Sequence, residues 1–328
     1  MYHGSINTLR LVYPPISNQE ADWLSESDSF RKYVSSSKIY MIGHREEIQF
    51  KNLRHEDRDE KSYLIFDLVG HTKLEKDVAL GIEQFWDDVG EKMDVLNGPK
   101  VLKLKGPKAM VEYTVESLLF YYSRGDLKLE ISKNYKNLLN FDLLYVGISK
   151  GKNSFTRLMD QKHKAREKIL SNEGQKKPTA RLTDEIFIFL FDIDDLQIKV
   201  LDHEDELDRF LDTAPLEKKL LVADAEKAFV HILKTKYNKV SYRNYPKCLD
   251  GLAGQGLNRY GYVISENISF NAGGMVFRGA YNEAFGWIDP ACSDMVAISG
   301  DNVMVINQET KEEDLPEETI LEEGKGEV

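Results

Sequence analysis

The sequence predicts a mixed α and β protein with several structural regions, on three observations. Ile186-Phe187-Ile188-Phe189-Leu190-Phe191 is an unbroken apolar run of strand length, as expected for a central strand buried on both faces. Residues 127–238 read as strand, strand, helix, strand, helix. From Asn258 onward, short β-type runs alternate with segments containing Asn and Gly.

Residues 1–110 read as an α+β region. Lys38-Ile39-Tyr40-Met41-Ile42 and Ser62 to Leu68 are strand-like, and the charge-dense stretch Arg45 to Lys61 between them reads as loop or exposed strand. Between Lys76 and Met93, the spacing of Val78, Ala79, Ile82, Phe85, Trp86 and Val89 predicts an amphipathic helix. Val101 to Lys105 alternates like a strand. Gly106-Pro107 reads as the opening of a helix that closes at Gly125-Asp126. Leu127, Leu129 and Ile131 predict an edge strand, Leu143 to Ser149 a second strand, Arg157 to Leu170 one helix and Leu216 to Leu233 another. Asp301-Asn302 reads as the turn of a C-terminal hairpin. The resulting division is 1–110, 111–247, 248–308 and an acidic tail, 309–328, with nine acidic residues and two lysines, expected to be disordered.

The chain has 328 residues, of which 41% are hydrophobic, enough for ordinary cores. No apolar run of membrane-spanning length occurs and no signal peptide is visible, so the expectation is a cytoplasmic protein with no membrane partner. Cys248 and Cys292 alone make neither a disulfide framework nor a zinc site. A net charge of −11 argues against indiscriminate nucleic-acid binding. Its distribution points the other way: residues 148–181 hold ten basic residues against three acidic ones, a net of +7, leaving −18 on the rest. The alternative is a solvated helix face beside a charged loop.

Leu143-Leu144-Tyr145-Val146-Gly147 and, about eighty residues on, Ala225-Glu226 with Lys236-Tyr237-Asn238 resemble the core of GIY-YIG nucleases. The resemblance covers about a third of the chain, roughly 127–246, and rests on the order of short motifs. It implies a small central mixed sheet flanked by helices, with the two named motifs on its first two strands. It further implies that Tyr145 is the tyrosine of the second motif, Arg157 the helix-borne arginine, Glu226 the ligand of Mg²⁺ (or Mn²⁺), and Asn238 the asparagine beyond that helix. No Gly-Ile-Tyr precedes Tyr145; by spacing the nearest tyrosine is Tyr135, with Tyr122 as an alternative. The family's histidine lies one turn after the arginine, where this chain has Gln161, and His163 is six residues on. On a continuous helix that step turns His163 about 120° away from Arg157.

The implied chemistry is phosphodiester hydrolysis. A cation on Glu226 neutralises the leaving oxygen, a guanidinium at Arg157 binds two phosphate oxygens, and a hydroxyl at Tyr145 positions or deprotonates water. Lys150, Lys152, Lys162, Lys164 and Arg166 would hold the backbone of the nucleic acid, with DNA ahead of RNA. Each residue also has a structural reading: packing for Tyr145, a solvated face for Arg157, a salt bridge for Glu226, a helix cap for Asn238 and an i,i+4 pair with Glu167 for His163. Two other functions stand beside the nuclease: a binding module that keeps the scaffold without catalysis, and a protein-interaction component whose acidic tail screens the basic segment.

Overall fold

The computed structural model describes residues 2–200 and 215–306. Strand Ile186–Val200 is central, as its apolar run predicts. Phe187, Phe189 and Phe191 pack into one core, while Ile186, Ile188 and Leu190 pack into another on the opposite face. Period-2 alternation of large apolar side chains produces this two-sided burial.

Nine strands follow one path across the sheet: Met275–Arg278, Ser269–Ala272, Asn140–Ile148, Ile39–His44, Ile186–Val200, Tyr2–Leu11, Arg259–Ile264, Met295–Ser299 and Asn302–Ile306. Ile16–Ser17 pairs with the central strand beyond Pro14-Pro15, continuing the side on which Tyr2–Leu11 lies. Tyr2–Leu11 runs parallel to Arg259–Ile264, and Asn140–Ile148 runs parallel to Ser269–Ala272; the other pairings are antiparallel. The expected small central sheet flanked by helices is therefore not the architecture. Strands from the N- and C-terminal regions extend the sheet on both sides. The boundary at 110 falls within strand Met110–Thr114 of a separate three-stranded sheet, and strands from before 110 and after 247 share the large sheet.

Residues 45–139 sit between two strands that are direct neighbours, since Asp142 pairs with His44. They form a four-stranded sheet, a three-stranded sheet and helix Val115–Ser123. The helix expected over Lys76–Met93 is instead strand Leu74–Gly81 followed by a 3₁₀ turn at Glu83–Phe85. Val78, Ala79 and Leu80 are consecutive and all buried, and the strand pairs with Lys61–Val69. The helical spacing was a coincidence of positions on either side of Gly81; tertiary pairing overrode it. The helix expected from Gly106-Pro107 begins later. Met110–Thr114 is a strand, and Thr114 caps Val115–Ser123 through a reciprocal bond with Ser117.

Helix Lys218–Leu233 packs Leu221, Ala225, Ala228, Phe229 and Leu233 against the sheet and ends at Lys234, in the left-handed conformation at φ +47°. Among the described residues no helix is long and apolar enough to cross a membrane. The tail expected at 309–328 lies outside the described residues.

Candidate active site

The strand Asn140–Ile148 is paired on both sides only at its start. Ser269–Ala272 covers Asn140 to Asp142, and beyond that the outer edge is open. Three contacts from the segment after the long helix fill it. Tyr237 N donates to Leu144 O (3.1 Å), Val146 N donates to Asn238 Oδ1 (2.9 Å), and Asn238 Nδ2 donates to Val146 O (2.8 Å). Asn238 thus holds one residue, Val146, by both its N–H and its carbonyl, as a neighbouring strand would. It does not cap the helix, a role taken by Lys234, and its amide is committed to backbone. Asn238→Ala leaves both groups of Val146 without these partners. The expected loss is about 1–3 kcal/mol of unfolding free energy, read by urea denaturation; an unchanged midpoint would show that the edge is held otherwise.

Tyr40 on the neighbouring strand lies beside Tyr145, with ring centroids 6.0 Å apart and planes 29° from parallel. A Cβ at Gly147 would fall 2.6 Å from Tyr40 Cζ and 2.7 Å from Tyr145 Cε1. Glycine at 147 is therefore a packing requirement for both rings.

The helix expected over 157–170 is broken. Ser154–Met159 and Lys164–Asn172 are separate, and Asp160 at the break makes a two-pronged bond to Arg31 at 2.8 Å. The break removes the angular offset expected between Arg157 and His163. His163 becomes the N-cap of the second helix, where its Nδ1 accepts from Arg166 N at 3.0 Å. Its Nε2 lies 2.8 Å from Tyr40 Oη. A backbone N–H can only donate, so Nδ1 is the unprotonated nitrogen. Burial first, then the Arg157 and Arg166 charges, lower the imidazole to about 4, so it is neutral at pH 7. Nε2 therefore carries the proton and donates to Tyr40, which leaves the Tyr40 hydroxyl proton free to point elsewhere.

These residues meet at a cleft of about 740 Å³, whose lining includes Tyr145, Arg157, His163, Glu226, Asn238 and Tyr242. Its cations are Arg157, Lys162, Lys164, Lys168, Lys236 and Lys239; Glu226 is its sole carboxylate. Among the described residues Glu226 makes one hydrogen bond, accepting from Tyr242 Oη at 3.4 Å, and no ion pair. The expected alternative of a salt bridge is not what holds it. Burial raises it to about 7, against the opposing pull of Lys150, the Tyr242 hydrogen bond and Lys227. Tyr145 is also raised, by burial and then by the Glu226 charge, while the Tyr40 hydrogen bond and Arg157 work in the other direction. Burial holds Tyr40 well above an ordinary phenol. Both tyrosines are thus neutral hydroxyls at pH 7.

Other expected residues lie elsewhere. Tyr135 does not line the cleft; it is buried in the large core with its ring against Tyr122, 5.1 Å between centroids, because its 3₁₀ turn Lys133–Leu139 precedes the strand on the inner face. Arg166 turns to Asn18, donating from Nε to Oδ1 at 2.7 Å. Lys162 and Lys164 line the cleft, Lys150 borders an adjoining groove, and Lys152 is exposed, its carbonyl accepting from Lys38. The residue missed from sequence is Tyr40. Nothing in its local pattern marks it, since about a hundred residues separate its strand, Ile39–His44, from the partner strand Asn140–Ile148.

No protein-family model matches the chain, and no curated protein or solved structure is significantly similar to it. The site therefore has to be read from its own geometry.

A second cavity of about 430 Å³ lies between Tyr13, Trp23 and the three-stranded sheet. Its acids are mostly paired internally: Glu47 and Asp184 with Lys100, Glu112 with Lys103, and Glu116 with Arg45. It has no comparable set of convergent reactive groups. Among the described residues, no three His, Cys, Asp or Glu side chains group to hold a metal, so Glu226 is the one carboxylate that the cleft offers an ion.

Proposed function

We propose that the cleft is the active site of a divalent-metal-dependent nuclease that hydrolyses phosphodiester bonds in DNA or RNA, with a side-chain set similar to that of GIY-YIG nucleases. One observation carries this reading. Tyr145, Arg157, His163 and Glu226 come from separate segments and converge where six cations line a cleft with one carboxylate, with Tyr40 behind them bonded to His163, on a chain of net charge −11.

Arg157 would bind the phosphate, and only a guanidinium offers two parallel donors to two of its oxygens. The neutral Tyr145 hydroxyl would orient the attacking water. Tyr40, held by His163 Nε2–H, would fix the position of Tyr145 and direct its own proton toward it. Glu226 fits Mg²⁺ or Mn²⁺. It is a largely enclosed carboxylate with no cationic partner, and Mg²⁺ commonly takes one or two carboxylates while keeping its waters and sharing substrate phosphate oxygens. When bound, such an ion would neutralise charge building on the phosphate and leaving oxygens.

A binding module without catalysis is the second reading. The observation that favours it is that Tyr145 and Glu226 are both raised toward their neutral forms. The two readings separate in one assay: plasmid, single-stranded DNA and RNA incubated with Mg²⁺, with Mn²⁺ and with EDTA. Metal-dependent strand scission supports the nuclease. Salt-sensitive binding of the same substrates with no scission in either metal favours the binding module. We also place the protein in the cytoplasm, since Cys248 and Cys292 are both free.

A further inference from the structure

Beside the cleft lies a second groove of about 510 Å³, lined by Lys38, Lys150, Lys218 and Lys219 over Ile148, Leu220, Val222 and Ala223, with Glu217 and Asp250 as its acids. Its position relative to the reacting groups follows from backbone repeats. Val222 and Ala223 precede Glu226 by one turn of the same helix, about 5.4 Å along its axis. Lys38 stands at the entry to strand Ile39–His44, two residues before Tyr40. Lys150 belongs to both places: it lines this groove, and its charge acts on Glu226.

The groove's charges are unevenly committed. Asp250 is bound by Lys227 at 2.6 Å, and Lys218 by Asp192 at 2.6 Å. Among the described residues, Lys150 and Lys219 have no ion-pair or hydrogen-bond partner. Among the described residues two ammonium groups without an ion-pair partner therefore stand over an apolar floor, one step along from the reaction centre. That combination suits a phosphate with the sugar or base attached to it, better than a free anion, which has no use for the floor.

We infer that this groove seats the nucleotide adjoining the scissile phosphate, so that the substrate is a polynucleotide that continues beyond the reaction centre on the Lys150 side. The inference rests on the nuclease reading of the cleft. It makes Lys150 and Lys219 binding residues for the flanking phosphates and assigns the floor to the intervening sugar or base.

The test uses the full chain and two measurements. The first is fluorescence anisotropy of a labelled single-stranded oligonucleotide in EDTA, over a range of salt, with wild type, Lys219→Glu, and Lys219→Glu combined with Lys150→Glu. Loss of two phosphate contacts should flatten the plot of log affinity against log salt by about 1.4 on a single strand. At moderate salt the double variant should bind on the order of 10–100-fold more weakly, with the single variant in between. Lys61→Glu with Lys128→Glu, on the distant four-stranded sheet, should leave both quantities unchanged. The second measurement is Mg²⁺-dependent cleavage of the same oligonucleotide, in which the double variant should show a raised KM. If wild type binds and cuts while the double variant keeps its affinity, salt slope and KM, this inference is overturned and the nuclease reading stands. If wild type neither binds nor cuts any nucleic acid, the nuclease reading fails first.

Discussion

Glu226→Gln should abolish metal-dependent cleavage while leaving nucleic-acid binding intact or stronger. The substitution keeps the shape of the side chain and the contact with Tyr242 but removes the only carboxylate in the cleft. The rate should drop by at least about 10²–10³-fold, the scale for losing one preorganised electrostatic contact. Binding should not suffer, because a negative charge near the phosphate path is removed. The wild type also carries a pH signature. Metal binding needs the carboxylate, and Glu226 is raised to about 7 by burial. Below that pH protons compete with the ion. The apparent metal dissociation constant should therefore worsen as pH falls, approaching about tenfold per unit on the acidic side, and should level off above pH 8. Metal titrations at several pH values check this. A dissociation constant that does not change between pH 5.5 and 8, or full activity in Glu226→Gln, would remove Glu226 from the reaction.

Gly147→Ala should disable the site by crowding the tyrosine pair, the Tyr40 hydroxyl included. The added Cβ arrives 2.6 Å from the Tyr40 ring and 2.7 Å from that of Tyr145. Both rings are held from behind, Tyr40 by His163 Nε2 and by its place in the second core. One must move, and the hydrogen-bond chain from His163 through Tyr40 to Tyr145 is broken. Overpacking of this kind costs about 1–3 kcal/mol, so the protein should still fold, with a lowered denaturation midpoint and native-like far-ultraviolet circular dichroism. Activity should fall by about 10²-fold or more, the cost of misplacing a reacting group by roughly an ångström. Tyr40→Phe separates the causes: it removes the oxygen that accepts from His163 and keeps the ring. If Gly147→Ala retains wild-type turnover, the tyrosine pair is packing alone.

Strands whose burial is one-sided or two-sided in a simple repeat were legible in the sequence, as Ile186 to Phe191 and the C-terminal hairpin show. So was the helix bearing Glu226, because its apolar face repeats over four turns. What sequence reading missed depends on partners far along the chain. Leu74–Gly81 is a strand because Lys61–Val69 pairs with it, and Tyr40 meets Tyr145 only because residues 45–139 leave the sheet and return beside their point of departure. The site was legible in part for the same reason. Tyr145, Arg157 and Glu226 lie on elements whose local pattern is plain. His163 entered the cleft through a break at Asp160 that depends on Arg31, more than a hundred residues away.

The order of strands across the sheet also bears on how the chain emerges from the ribosome. The first strand, Tyr2–Leu11, lies between Ile186–Val200 and Arg259–Ile264. Its first flanking partner does not exist until nearly two hundred residues have been made, and its second is later still. At about 5–20 residues per second, Tyr2–Leu11 waits tens of seconds with both edges open. The nascent chain is thus exposed to mispairing through Tyr2–Leu11 until those two partners have been made.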